Sequence, residues 1–119
     1  SSEDLRRYMD SVAGELRRAG FLYEAVVIGS AGDGSLGPRS DLDLRLVFPR
    51  GAAAWLRVNL LLLRLRARAF VLGVPLDAYA YDSAASLRRF DPREPWLVVL
   101  DRRGEIVREF RDRCLVPLP

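Results

Sequence analysis

The sequence predicts an α+β domain in which helices flank a small mixed β-sheet. The chain has 119 residues, of which 50% are hydrophobic and 29% are charged, a composition typical of a globular domain with one core. Apolar residues recur at helical spacing in some segments and run together or alternate in others, in the order helix, strand, strand, helix, strand, helix, hairpin. We find no internal repeat and no low-complexity linker, and therefore expect a single domain over 1–119 with its core at about 20–110.

The first part of the chain predicts a helix and then two strands. A helix over 3–19 is indicated by apolar residues spaced by threes and fours, which are Leu5, Met9 (or Tyr8), Val12 and Leu16. Residues 21–28 form an apolar run rich in strand-forming residues, which predicts a buried strand. The glycine-rich stretch 29–40 predicts a loop, and the alternation over 41–48 predicts the second strand.

The longest predicted helix covers 51–72 and ends before Gly73. Its length suits a membrane span, but four arginines inside it make that reading too costly: Arg57, Arg64, Arg66 and Arg68. We expect a core helix with one solvated face, formed by Arg50, Arg57, Arg64 and Arg68. A dock for RNA phosphates or for an acidic partner is the functional alternative for these arginines.

The rest of the chain predicts a third strand over 74–81, a short helix over 83–90 and a fourth strand over 96–100. The turn at 101–104 then leads into 105–110 as a hairpin partner. Pro75 fits the start of the third strand, where a missing N–H is tolerated. Side chains expected in or near the core are Tyr79, Tyr81, Trp55 and Trp96, whereas solvated ends are expected at Arg88, Arg89, Arg102 and Arg103. Base stacking is the alternative for the two tyrosines.

Composition excludes several kinds of chemistry. The chain has no His, which rules out a Ser-His-Asp triad, a His-ligated zinc and an imidazole base. One cysteine, Cys114, cannot form an internal disulfide and fits a reducing cytoplasm. All 19 basic residues are Arg, and the net charge of +3 is spread without a dense block. Nucleic-acid binding is therefore not favoured, and the charged N-terminus predicts no signal peptide.

Acidic residues in the predicted sheet point to a cation site. Asp41 and Asp43 share one face of a strand, where two carboxylates repel unless a cation lies between them. Hard oxygen ligands suit Mg²⁺ or Mn²⁺. Asp77 of the third strand is the expected third carboxylate, with Asp82 as the alternative if the strand register differs. The turn at 29–30 follows a strand and can present backbone N–H groups and a hydroxyl to a phosphate.

Gly29 and Ser30, followed after ten residues by Asp-Leu-Asp-Leu at 41–44, resemble the signature of the DNA polymerase β-type nucleotidyltransferase superfamily. The likeness is greatest to its minimal nucleotidyltransferase members and covers about 20–110. It implies a metal-dependent enzyme that transfers a nucleotidyl group from an NTP, with ATP expected, to a hydroxyl. The implied ligands of Mg²⁺ (or Mn²⁺) are Asp41, Asp43 and Asp77, and the implied nucleotide-binding residues are Gly29, Ser30 and Arg39.

The sequence departs from this family at 31–34, which read Ala-Gly-Asp-Gly where members usually carry Arg or Lys. Arg39 is the residue that can compensate for the missing charge. Because the chain has no room for an added helical domain, the resemblance implies that a protein partner or a second copy completes the acceptor site. One such setting is an antitoxin paired with a helical HEPN-type toxin. The alternatives are a catalytically impaired nucleotide-binding or protein-interaction module of the same fold and, less favoured, an RNA-binding domain.

Overall fold

The computed structural model describes residues 2–29 and 42–117. Its helices are α1 (Ser2–Arg18), α2 (Ala52–Leu72), α3 (Glu105–Glu109) and a 3₁₀ helix (Ala84–Arg89). Its strands are β1 (Glu24–Ile28), β2 (Leu42–Val47), β3 (Leu76–Tyr81), β4 (Trp96–Asp101) and β5 (Leu115–Pro117). The prediction of an α+β domain is confirmed.

The strands form one mixed five-stranded sheet in the order β3-β2-β1-β4-β5. The central strand β1 runs antiparallel to both neighbours, β2 and β4. The outer pairs, β2 with β3 and β4 with β5, are parallel. The strands β2 and β3 are joined by a crossover through α2. The register places the starts of these two parallel strands beside the end of β1.

Helices cover the two faces of the sheet unequally. On one face α1 and α2 pack over the larger core, to which β2 contributes Leu42, Leu44 and Leu46. On the other face the 3₁₀ helix and α3 cover a smaller core that includes Trp96 and Phe110. Successive strand residues point to opposite faces, so the alternate residues of β2, including Asp43, face away from α1 and α2.

The predicted apolar face of α1 is buried as expected at Tyr8, Met9, Val12 and Leu16. The side chain of Leu5 lies outside the described ones. Tyr8 is fully buried, and its hydroxyl donates a hydrogen bond of 2.8 Å to the carbonyl oxygen of Leu65 in α2. Burial raises the pKa of this phenol from 10.0 to about 12. The bond therefore ties the two long helices together across the core.

Tyr8→Phe is expected to lower the free energy of unfolding at pH 7 by about 1 kcal/mol, because a buried hydrogen bond is lost. The folded protein prefers the neutral phenol, so its contribution is complete below the unfolded pKa of 10.0 and is lost as pH rises through about 12. Urea titrations at pH 8 to 12 should show an alkaline loss of stability that is smaller in Tyr8→Phe than in the wild type. Tyr79→Phe, which alters an exposed tyrosine, is the control and should retain the wild-type loss.

The long helix α2 ends as predicted. Gly73 adopts a left-handed conformation (φ 68°), and its N–H donates a hydrogen bond back to the carbonyl of Phe70.

The side of α2 against the sheet contributes Val58, Leu61, Leu62, Leu65 and Ala69. The predicted solvated arginines are exposed, and Arg64 and Arg68 share Glu15 of α1 as an ion-pair partner at 3.2 and 3.4 Å. No helix in the described ranges has the length and apolar character needed to cross a membrane.

One prediction about the C-terminal part of the chain is wrong, and one strand there was not predicted. Residues 105–110 do not pair as a hairpin strand: α3 starts at Glu105, because the Asp101 carboxylate accepts hydrogen bonds from the N–H groups of Ile106 and Val107 and so favours a helical turn. The parallel strand β5, which is only three residues long, follows instead. A strand this short carries too little alternation to be detected from sequence.

Side-chain predictions are corrected at other positions. Trp96 is fully buried as expected, but Trp55 is 58% exposed, because it lies to one side of the face that α2 turns to the sheet. Arg102 does more than solvate a turn, since its guanidinium donates to the backbone carbonyls of Arg17, Ala19 and Leu22. It thus fastens the end of α1 to the turn after β4.

Candidate functional site

The candidate site forms where β1, β2 and β3 lie side by side. Asp43 on β2 pairs in register with Ile28 on β1 and with Asp77 on β3. Register partners on adjacent strands project from the same face, so the two carboxylates are neighbours on the sheet face opposite α1 and α2. Asp43 is partly buried, and the side chain of Asp77 is 49% exposed. A solvent-accessible pair of acidic groups therefore lies on a rigid sheet.

Gly29 brings the turn after β1 against this pair. It has φ of +88°, a conformation that side-chain-bearing residues rarely adopt. A Cβ added at this position would lie 3.4 Å from Oδ2 of Asp43. The positive φ is therefore what favours glycine here, and the distance shows that the turn lies beside the Asp43 carboxylate.

Arg45 is a component of the site that the sequence reasoning did not single out. Its side chain, only 8% exposed, donates from Nη2 to Oδ2 of Asp77 at 3.1 Å and from Nη1 to the Asp77 carbonyl at 2.8 Å. The guanidinium lies 4.9 and 5.1 Å from the ring centroids of Tyr79 and Phe90. These contacts fix both the Asp77 carboxylate and the arginine that holds it.

Two physical consequences follow from the buried arginine. Its positive charge offsets part of the repulsion between Asp43 and Asp77, which lowers the cost of placing them together. Its Nε is buried and has no hydrogen-bond partner among the described residues, which is unfavourable for stability. The only sequence signal for this role was the position of Arg45, two residues after Asp43 and therefore on the same strand face. Exposed polar residues also occupy such positions, so the signal did not single out Arg45.

The structure describes only part of the predicted site. It brings Gly29, Asp43 and Asp77 together. Asp82 follows the end of β3 and pairs with Arg50 at 3.2 Å, and the register places Asp77 opposite Asp43. Three predicted site residues lie outside the described residues: Ser30, Arg39 and Asp41.

The donor chemistry at this position fits a hard divalent cation. Asp43 and Asp77 offer carboxylate oxygens from neighbouring strands, which is the ligand type that Mg²⁺ and Mn²⁺ prefer. Arg45 engages one oxygen of Asp77 and orients that carboxylate, as hydrogen bonds to metal-binding carboxylates commonly do. Within 2–29 and 42–117 no group of three or more His, Cys, Asp or Glu is placed to hold a metal. The third acidic residue of the sequence motif, Asp41, is outside those ranges.

Comparisons of the chain with protein-family models, with curated proteins and with solved structures find no match in any of the three.

Proposed function

We propose that the protein is a metal-dependent nucleotidyltransferase with the nucleotidyltransferase fold, moving a nucleotidyl group from an NTP to a hydroxyl acceptor. The observation that carries this proposal is the in-register pairing of Asp43 with Asp77 beside the glycine turn that ends β1. The motif resemblance at 29–30 and 41–44, which includes Gly29 and Asp43, supports the same assignment. ATP is the nucleotide we expect.

Each residue has a defined part in this proposal. Asp43 and Asp77, with Asp41, would hold Mg²⁺ or Mn²⁺. When bound, such an ion neutralises charge on the phosphates and aligns the reacting groups. The backbone at Gly29, with Ser30 and Arg39, would hold the triphosphate. Asp77 would accept the proton of the attacking hydroxyl, since the chain has no histidine to do so. Arg45 is a positioning residue that orients the Asp77 carboxylate.

The acceptor surface is proposed to come from outside this chain. β3 lies at the edge of the sheet, so Asp77 is on the strand nearest to any molecule approaching from that side. A protein partner, or a second copy of this chain, would present the acceptor hydroxyl there. By family resemblance, an antitoxin that modifies or binds a helical HEPN-type toxin is the setting we propose, in the cytoplasm. The free, exposed Cys114 is compatible with that compartment.

The Arg45–Asp77 ion pair favours a second candidate function. Because the arginine already neutralises part of the Asp77 charge, Asp77 would be a weaker ligand for a second cation. A module that binds a nucleotide without turning it over, and acts by protein interaction, would tolerate this. The two candidates differ in whether bound nucleotide releases pyrophosphate.

Calorimetric titration of ATP, GTP, CTP and UTP, with Mg²⁺ and then Mn²⁺, tests the proposal. We expect one nucleotide to bind only with metal, and the Asp41→Ala/Asp43→Ala variant to lose that binding. Release of pyrophosphate when candidate acceptor proteins are added would support the transferase, and binding without release would support the second candidate. If no nucleotide binds under either metal, both candidates are overturned for this chain alone.

A further inference from the structure

The helix α2 is apolar on two opposite faces. One face is buried against the sheet, but the other exposes large side chains to solvent: Leu56 (55% exposed), Leu60 (51%), Leu63 (64%) and Phe70 (88%). Scattered exposed leucines are ordinary on protein surfaces, whereas a contiguous apolar surface marks an interaction site. This outer face has no partner in the described fold, so its purpose lies outside the core.

The spacing of the exposed residues is regular. Ala53, Leu56, Leu60, Leu63, Ala67 and Phe70, here called the outer seam of α2, alternate steps of three and four residues. This is the a/d pattern with which one helix packs along another. The buried residues Val58 and Leu65 occupy the f positions of the same heptads, which a two-helix seam leaves free to pack on the sheet. The seam spans roughly 25 Å at 1.5 Å per residue, enough for a helix of several turns.

The charges that flank the seam indicate which kind of helix can bind there. The e and g positions that flank it include Arg57, Arg64 and Arg66, of which Arg66 also donates to the Ala78 carbonyl of β3. The helix α2 contains no Asp or Glu. A second copy of α2 would place arginines opposite arginines, which is destabilising in helix pairs. Although Arg64 has an ion pair with Glu15 on the neighbouring helix, its side chain remains 67% exposed. A helix with acidic residues at its own e and g positions complements this surface.

A membrane surface fits the face less well. Helices that lie on membranes turn a broad apolar face to the lipid and a charged face to water. In α2 the side opposite the outer seam is buried on the sheet. The arginines flank a seam that is only about two side chains wide, the a and d positions. That geometry is the one that a partner helix recognises.

We propose that the outer seam of α2 binds an amphipathic helix of a partner protein, with apolar a and d residues and acidic e and g residues. The outer seam belongs to α2, which packs with α1 on one face of the sheet. Asp43 and Asp77 project from the opposite face. The partner helix would therefore be held at a distance from the candidate nucleotide site. This proposal does not depend on the proposed function.

The test uses two synthetic three-heptad peptides with leucine at a and d and no tryptophan. One carries Glu at every e and g position, and the other carries Lys there. Binding to the whole protein is measured by anisotropy of the labelled peptide and by emission of the exposed Trp55, since Trp96 is buried. We expect the acidic peptide to bind at least about tenfold more tightly than the basic one, with an affinity that falls as salt is raised.

Matched variants distinguish binding at the outer seam from non-specific hydrophobic binding. Leu60→Ser/Leu63→Ser alters only exposed positions and is expected to keep the circular dichroism of the wild type while weakening the acidic peptide at least about tenfold. Val107→Ser changes a residue that is 55% exposed on α3, on the other face of the sheet, and should bind as the wild type does. Arg57→Glu should reduce the preference for the acidic peptide.

Three results would overturn the proposal. The first is equal binding of the two peptides, or equal binding by the wild type and the leucine double variant. The second is a concentration-dependent dimer in sedimentation that the double variant abolishes, which would assign the seam to a second copy. The third is seam-dependent binding to phosphatidylserine vesicles in place of peptide. Nucleotide titrations of the same variants should be unchanged, so failure here leaves the nucleotide proposal standing.

Discussion

Asp43→Ala is expected to weaken binding of a Mg²⁺-bound nucleotide by at least about 100-fold while the protein stays folded. Loss of a residue that merely orients a metal ligand commonly costs about 10- to 100-fold, and Asp43 is proposed as a ligand itself. Its carboxylate lies between Gly29 and Asp77, where no other described acidic residue can replace it. Calorimetric titration gives the affinity, and urea unfolding should show a free energy within about 1 kcal/mol of the wild type.

Asp82→Ala is the matched control for this prediction. Asp82 is an aspartate just after the end of β3, and its carboxylate pairs with Arg50 away from the register partner of Asp43. Its replacement should leave nucleotide affinity within about twofold of the wild type, as expected for an exposed ion pair. If Asp43→Ala binds the Mg²⁺-nucleotide like the wild type, or if Asp82→Ala loses binding equally, the assignment of the site is wrong.

Arg103→Ala is expected to lower the free energy of unfolding by about 3 kcal/mol. Glu24, on the central strand, is fully buried, and Arg103 donates to both of its oxygens, from Nε at 3.0 Å and from Nη2 at 2.5 Å. The hydrogen bonds that Arg103 donates to Glu24 hold the pKa of the guanidinium above its ordinary value. Removal of the arginine leaves a buried carboxylate without its partner. The side chain of Arg103 is 39% exposed, so water replaces part of the loss and the low end of the usual range applies.

Chemical denaturation at pH 7 measures this effect, with a second pair of residues as the reference. Arg93→Ala breaks the exposed ion pair with Asp91 and should leave the unfolding midpoint unchanged. The double variant Glu24→Leu/Arg103→Met removes both charges and should recover most of the lost stability, because an apolar pair of similar volume suits a buried position. An Arg103→Ala midpoint equal to that of Arg93→Ala would show that Glu24 does not depend on its partner.

The fold could be predicted in outline because its long elements have strong periodicity. The pattern of residues was enough to predict the apolar face of α1, the length of α2 up to Gly73 and the first four strands. The prediction failed at 105–110, which form α3 and not a strand. Asp101 accepts hydrogen bonds from the first N–H groups of this helix, and no pattern of apolar residues reveals such a cap. The short strand β5 depends on pairing with β4 rather than on its own sequence.

The candidate site was predictable where side chains are ordered by strand alternation. Alternation and sheet register place Asp43 beside Asp77, and the sequence named both. Arg45 was missed because its role depends on burial and on the rings of Tyr79 and Phe90, which meet it only in the folded chain. The exposure of Trp55 was missed because α2 has more apolar residues than one buried face can hold.

The outermost strand β3 also bears on self-association. A strand at the rim of a sheet offers backbone groups that can template addition of a foreign strand, and proteins commonly guard such rims with charged side chains. Arg66 of α2 donates a hydrogen bond of 2.6 Å to the carbonyl oxygen of Ala78, on the open side of β3. The neighbouring Asp77 carbonyl points toward β2, as those of Pro75 and Tyr81 do. One carbonyl of the open edge is thus engaged by an arginine, a form of protection against amyloid-like stacking that leaves the acidic pair open to solvent.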